Sequence, residues 1–175
     1  MIALHSSPLM EAQPMKNAFA VVTAILLLCS TMTAQDSEQR RKSLKGIVGF
    51  YLSVEKLDPD VEKEGLTTDQ IRADVESRLR TAGIKVFTAE PSSQSKGKPL
   101  LSVDLMIGGK QGLYPYALDI GVHQLVRLER DPTAIVNATT WSVGSAGIAG
   151  LSTIRDTVRD RLDEFINAWL SVNRK

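Results

Sequence analysis

TTDQIRADVESRLRTAGIKVF, residues 67–87, contains the signals of a complete helix followed directly by those of a strand. Thr67 and Gln70 have the three-residue spacing of a capping box, which marks the start of a helix. One face of this helix carries an apolar stripe: Ile71, Val75 and Leu79. Gly83 predicts a left-handed C-cap that ends the helix, and residues 84–87 are expected to continue as a short strand.

The residues before this helix predict another strand. GIVGFYLSVEKL, residues 46–57, is rich in β-branched and aromatic residues. DPDVEKEG, residues 58–65, predicts an acidic turn that leads from this strand into the helix. A strand, a helix and a second strand in this order normally form a right-handed crossover, so we expect the two strands to be parallel.

Three more strands are expected after a polar surface loop at residues 88–99. The first has strictly alternating apolar residues: Leu101, Val103, Leu105 and Ile107. The second keeps its apolar residues at one parity: Tyr116, Leu118, Ile120, Val122, Val126 and Leu128. RDPTA, residues 130–134, predicts a turn into the third strand, residues 135–143. Together the three predict an antiparallel meander.

The last element is an amphipathic helix from Ser152 to about Val172. Its apolar residues recur at steps of three or four: Ile154, Val158, Leu162, Phe165, Trp169 and Val172. The predicted fold is therefore α+β, a two-layer sandwich. A mixed sheet of four or five strands carries two helices packed on one face.

The beginning of the chain predicts an export signal. Lys16 precedes the apolar run AFAVVTAILLLC, residues 18–29, and small polar residues follow it. We therefore expect residues 1–34 to be a signal peptide, with Met15 as a possible true start and the mature chain beginning at Gln35. The polar composition of residues 35–45 predicts a disordered leader. We expect residues 46–175 to form a single domain that is either periplasmic or secreted.

Cysteine use and charge exclude several functions. Cys29 is the only cysteine and lies in the export signal, so a mature chain would contain no disulfide and no cysteine nucleophile. Lipid attachment at Cys29, which would tether the protein to a membrane, is the alternative to cleavage, although Leu28 is larger than that signal prefers. The net charge of +1 gives no indication of a nucleic-acid partner.

No residue pattern predicts a catalytic, cofactor or metal site. Gly144, Gly147 and Gly150 lack the spacing of a nucleotide-binding loop. We interpret them as a hinge-like corner that allows positive φ; an anion held by the helix N-terminus near Ser152 is the alternative. Four acidic residues alternate before the first long helix but lack the glycine and the distant glutamate of a calcium loop: Asp58, Asp60, Glu62 and Glu64.

His123 shares strand parity with Asp119 and Arg127, which places the three on the face opposite the apolar one. Asp119 and His123 suggest an acid–base pair, but residues four apart on a strand lie about 13 Å apart. A solvated strand surface is therefore the preferred interpretation, and no G-x-S-x-G motif supports a serine hydrolase. Tyr114 and Tyr116 are the predicted partner-contact residues, as an exposed aromatic rim.

Three segments carry a family resemblance: IRADVESRLRTAGIKV, then LLSVDLMI, then YPYALDIGVHQLVRLERD. This order resembles the small α/β sandwiches of envelope-assembly accessory proteins. Examples are the lipopolysaccharide-assembly lipoprotein that plugs an outer-membrane barrel and the N-terminal domain of the Tol-system propeller protein. The resemblance implies no catalytic residues.

The leading hypothesis is an exported, non-enzymatic domain of the bacterial cell envelope that binds another envelope or secreted protein. Two alternatives remain open. One is an exported hydrolase that uses scattered carboxylates such as Asp104 and Asp119, which would have to converge in a pocket. The other is a carrier of a lipid or small ligand between the helix layer and the sheet. The oligomeric state stays undetermined.

Overall fold

One open sheet of five strands organises the computed structural model, which describes residues 38–88, 99–109 and 112–174. These residues belong to a single unit, Asp36–Lys175. Its elements are α1 (Glu38–Lys42), β1 (Gly49–Val54), α2 (Pro59–Lys63), α3 (Thr68–Thr81), β2 (Lys85–Phe87), β3 (Leu100–Ile107), β4 (Tyr114–Leu128), β5 (Asp131–Ala149) and α4 (Leu151–Asn173). The predicted signal peptide, Cys29 and most of the loop at 88–99 lie outside the described residues.

The strand order is β2-β1-β3-β4-β5. β1 is parallel to both β2 and β3, whereas β3, β4 and β5 form an antiparallel meander. The predicted α+β class, the mixed sheet and the parallel strand–helix–strand unit are confirmed. The sheet is open, so β2 and β5 are its two edges.

Both ends of α3 have the predicted hydrogen bonds. The Thr67 hydroxyl accepts from the backbone N–H of Gln70 at 3.2 Å, and the Gln70 side chain accepts from the N–H of Thr67 at 3.3 Å. At the other end Gly83 has φ of +81°. The Ile84 N–H then donates to the carbonyl of Leu79 at 2.9 Å, as in a Schellman motif. The chain therefore reverses at Gly83 and enters β2 without a loop.

The apolar core lies between one sheet face and the two long helices, α3 and α4. Phe165 of α4 is fully buried, with its ring centroid 5.4 Å from that of Phe50 and 5.2 Å from that of Trp141. Phe50 belongs to β1 and Trp141 to β5, so one side chain connects α4 to two strands that are not neighbours in the sheet. Edge-to-face and tilted contacts of this kind add to the stability gained from burial alone.

Ion pairs join the outer surfaces of α3 and α4. Asp74 accepts from Arg155 at 2.7 Å and from Arg159 at 3.0 Å. One turn further along, Arg78 donates to both carboxylate oxygens of Asp163, at 2.6 and 2.7 Å. These pairs set the register of the two helices, because each aligns a specific turn of α3 with a specific turn of α4.

The prediction of a disordered leader is wrong for its described part. Residues 38–42 form α1, and Leu44 just after it has no exposed surface. The Asn173 side chain at the end of α4 donates to the carbonyl of Leu44 at 3.0 Å and accepts from the N–H of Gly46 at 2.7 Å. The burial of Leu44 and the two hydrogen bonds between the Asn173 side chain and the backbone thus order a segment whose composition is polar.

The acidic stretch before α3 forms more than the predicted turn. Pro59–Lys63 is the short helix α2, and the Asp58 carboxylate caps it by accepting from the N–H of Asp60 at 2.8 Å. Glu62 accepts from the Thr68 hydroxyl at 2.6 Å. The acidic side chains therefore cap helices and bond to neighbouring groups, and Val61 is buried among the core residues.

The predicted glycine corner is also wrong. β5 continues through Gly144 and Gly147 to Ala149, and neither glycine has a positive φ. The absence of a side chain serves close approach instead. A Cβ at Gly144 would lie 2.9 Å from the carbonyl oxygen of Leu118, and one at Gly147 would lie 3.3 Å from the Tyr116 ring. β5 also begins at Asp131, within the segment predicted as a turn.

None of the helices in the described ranges is both long and apolar enough to cross a membrane.

The Asp74 ion pairs predict a pH-dependent contribution to stability. The pKa of Asp74 lies below its ordinary value of 3.8, mainly because Arg155 donates a hydrogen bond to the carboxylate. The carboxylate therefore stabilises the fold above that value, and this contribution is lost as the pH falls through the lowered pKa. Asp74→Asn should lower the free energy of unfolding at pH 7 by about 1–3 kcal/mol, with a smaller deficit near pH 3.

Urea unfolding of the variant and the native protein at the two pH values measures this difference. Asp160→Asn is the matched control, since Asp160 is exposed on α4 and forms no ion pair with the described residues. If Asp74→Asn were as stable as the native protein at pH 7, the ion pairs would not be what holds α3 to α4.

Candidate functional site

The sheet face opposite α3 and α4 contrasts with the buried helix face. We call it the open face. Over β3, β4 and β5 it comprises Ser102, Asp104, Met106, Pro115, Ala117, Asp119, Gly121, His123, Ser142, Gly144, Ala146 and Ile148. Only Ser102 and Gly121 of this set are buried, and none of the set belongs to the apolar core.

One end of the open face is apolar. Met106 lies opposite Ala117, which in turn lies opposite Ala146 on β5, and Ile148 pairs with Pro115 in the next row. Met106 is 65% exposed and Ile148 is 71% exposed. An isolated exposed apolar residue is ordinary, but neighbouring ones on one face form a patch that is typical of a contact surface.

The next row carries two carboxylates. Asp104 on β3 lies directly opposite Asp119 on β4, so both side chains project from the same face. Partial desolvation by neighbouring groups raises the pKa of Asp119, the charge on Asp104 raises it further, and His123 partly opposes the shift. Neither carboxylate makes an ion pair or a hydrogen bond with any residue that the structure describes. The two carboxylates therefore repel each other, and only His123 partly offsets this repulsion at Asp119.

A hydrogen-bonded cluster lies beside this pair. The Ser102 hydroxyl is 3.0 Å from Nε2 of His123, and the Thr139 hydroxyl is 3.2 Å from Nδ1 of the same ring. A Cβ at Gly121 would lie 3.2 Å from His123 Nε2, 3.3 Å from Asp119 Oδ2 and 3.3 Å from Ser102 Oγ. The three polar side chains thus surround one residue that has no side chain of its own.

This arrangement corrects part of the sequence interpretation of His123. Asp119 and His123 do share the face opposite the apolar one, and no hydrogen bond joins them, as the strand spacing predicts. Both side chains nevertheless lean over Gly121, where they interact electrostatically. Ser102 is the functional candidate that sequence reasoning missed, because it reaches His123 across two strands whose register the sequence does not state.

The cluster lacks the geometry of a serine hydrolase. In such a triad a carboxylate accepts from Nδ1 of the histidine, whereas Nδ1 of His123 contacts the hydroxyl of Thr139. Within residues 38–88, 99–109 and 112–174 there is also no group of three histidine, cysteine or acidic residues that could hold a metal ion.

Tyr114 is not the exposed contact residue that the sequence predicts. Its side chain is only 2% exposed, and its hydroxyl donates to the Glu64 carboxylate. Tyr116 is half-buried on the helix face, where its ring covers Gly147. Residues near the start of β4 alternate between the two faces, so Pro115 rather than either tyrosine points to the open side.

The first turn of α4 borders a cavity of about 350 Å³. Its lining is Glu64, Gly65, Leu66, Gln70, Leu151, Ser152, Arg155, Asp156 and Arg159. Two arginines and two acidic residues balance in this lining, and both arginines already bond to Asp74. The cavity therefore offers no excess of positive charge for the anion that the sequence suggested near Ser152.

No protein-family model matches the chain, and a search of curated proteins finds no match. The function has to be inferred from the chemistry of the site, which is a stronger basis than a shared fold.

Repulsion between Asp104 and Asp119 has a measurable consequence. Asp104→Asn should raise the free energy of unfolding at pH 7 by about 0.2–1 kcal/mol, because it removes a like charge directly across the strand pair. Because the pKa of Asp119 is raised in the folded state, the penalty is absent below the ordinary value of 3.8, grows as the pH rises from there, and is complete above the raised value. The gain should therefore disappear near pH 3.

Chemical unfolding at pH 7 and pH 3 tests the sign of this effect. Glu129→Gln, at an exposed position between β4 and β5, serves as the control for the loss of one negative charge. A loss of stability in Asp104→Asn at pH 7 would contradict the interpretation that the two carboxylates repel each other.

Proposed function

We propose that this chain is an exported, non-enzymatic binding domain of the bacterial cell envelope that engages a protein partner through its open face. The observation that carries the proposal is the combination, on one sheet face, of exposed Met106 and Ile148 with Asp104 and Asp119, which face each other and form no ion pair with the described residues. Apolar residues next to unpaired charges are costly in an isolated domain, and a partner that covers them removes that cost.

Other features favour a binding domain over the two alternatives. Asp104 and Asp119 do lie together, as the hydrolase alternative requires, but they project from an open sheet surface, and Nδ1 of the neighbouring His123 contacts the hydroxyl of Thr139 instead of a carboxylate. The space between the helices and the sheet is filled by Phe50, Trp141 and Phe165, which disfavours a carrier with a ligand in that layer.

Export is supported by the pattern of residues 16–34 and by the resemblance to envelope-assembly accessory proteins. A mixed sheet with two long helices on one face agrees with the sandwich that the resemblance implies. Such an accessory protein acts by contact with other envelope proteins, so a free sheet face is the surface on which we place the contact.

Photo-crosslinking in the organism that produces the protein tests the proposed surface. A benzophenone amino acid placed at Met106 or at Ile148 should give a discrete adduct with another protein. The same amino acid at Asn167, which is exposed on the outer side of α4, should give at least about tenfold less adduct, because this position lies away from the proposed surface. Adducts of equal yield at all three positions, or at Asn167 alone, would reject the open face as the binding surface.

The intact mass of the protein recovered from fractionated host cells tests export separately. We expect a chain that begins near Gln35 and carries no acyl group, because residues 18–29 are followed by a small-residue cleavage region. A chain that begins at Cys29 with added acyl mass would instead mean a lipid-tethered envelope protein. Recovery of the uncleaved chain from the cytoplasm would contradict the proposed location.

A further inference from the structure

The geometry points to an arginine side chain of the protein partner as the group that binds between Asp104 and Asp119. This inference rests on the proposed function and specifies its chemistry. The partner segment would place a guanidinium on the two carboxylates and apolar side chains on Met106 and Ile148.

The open face carries only negative formal charge over β3 and the adjoining parts of β4 and β5. Asp104 and Asp119 are the only formally charged residues within residues 100–107, 114–123 and 141–149, which are all of β3, the first part of β4 and the last part of β5. Both are negative and both lie on the open face. A partner that covers this area must therefore supply positive charge, or it buries two carboxylates without compensation.

Elsewhere in the molecule, carboxylates that connect α3 to α4 are paired with arginines. Asp74 has two arginine partners on the helix side, and Asp163 accepts two hydrogen bonds from Arg78. On the open side, Arg127 of β4 donates to the carbonyl of Pro132 at 2.8 Å instead of pairing with an acidic side chain. The described part of the chain thus leaves this one pair of facing carboxylates for an outside cation.

The spacing of the acceptors favours arginine over lysine. Side chains directly opposite on antiparallel strands have Cβ atoms about 4.5–5.5 Å apart. A planar guanidinium with five N–H donors can reach both carboxylates at once, whereas an ammonium acts as a point charge. Ser102 Oγ, which lies beside Asp119 Oδ2 around Gly121, provides a further acceptor.

The glycines around Asp119 allow its carboxylate to lie close against the sheet. A Cβ at Gly121 would lie 3.3 Å from Asp119 Oδ2, and one at Gly144 would lie 3.5 Å from Oδ1. Both carboxylate oxygens therefore border positions without a side chain. The exposed side chains of Met106 and Ile148, one and two rows away, can cover the methylene stem of the arginine and its apolar neighbours.

Nuclear magnetic resonance with two matched small probes tests this inference on the full-length, isotope-labelled chain. N-acetylarginine amide should shift the backbone amide signals of Ser102, Gly121 and Gly144, whereas N-acetylcitrulline amide, which is neutral and nearly the same size, should not. The double variant Asp104→Asn/Asp119→Asn should lose the shifts, and Asp160→Asn should keep them. Equal shifts with the two probes, stronger shifts with N-acetyllysine amide, or shifts that persist in the double variant would overturn the inference.

A crosslinking series separates failure of this inference from failure of the proposed function. With the benzophenone at Ile148, the double variant should reduce the adduct at least about tenfold relative to the native pair, equivalent to about 1.4 kcal/mol of binding free energy. Mass spectrometry of the native adduct should locate an arginine in the crosslinked partner segment. An undiminished adduct in the double variant keeps the binding surface and refutes the arginine; no adduct in the native protein refutes both.

Discussion

The contact of Phe165 with Phe50 and Trp141 is the interaction on which the rest of this structure depends. It holds α4 across the sheet by joining strands that are not adjacent, and it directs the apolar side of the helix to one face only. Because the two long helices both pack on that face, they leave Met106, Asp119 and Ile148 exposed on the opposite face. The open carboxylate pair is thus a consequence of where the aromatic side chains pack.

Carboxylates on the two sides of the sheet differ in whether an arginine pairs with them. On the helix side, carboxylates such as Asp74 are held by arginines from the neighbouring helix, and each pair contributes to the alignment of α3 and α4. On the open side, Asp104 and Asp119 face each other with no cation among the residues that the structure describes. The carboxylates of Asp104 and Asp119, which have no arginine partner in the described chain, therefore indicate where a protein partner would bind.

Sequence patterns predicted the parts of the fold whose signals are local. The capping box at Thr67, the C-cap at Gly83 and the alternation along β3 each depend on residues within a few positions, and all appear in the structure. The predictions failed where a distant part of the chain decides. Leu44 is ordered by α4, and Gly144 is extended because it pairs with β4, where the carbonyl of Leu118 leaves no space for a side chain.

By itself, the sequence determined the class of fold, the order of its elements and the absence of cysteine chemistry after residue 29, because these follow from short-range periodicity and composition. Only the tertiary structure decided the site. Strand pairing places Asp104 opposite Asp119 and Ser102 beside His123, and a shift of one residue in that pairing would send every one of these side chains to the other face. Register arises from the packing of the whole sheet against its helices, which no short stretch of residues encodes.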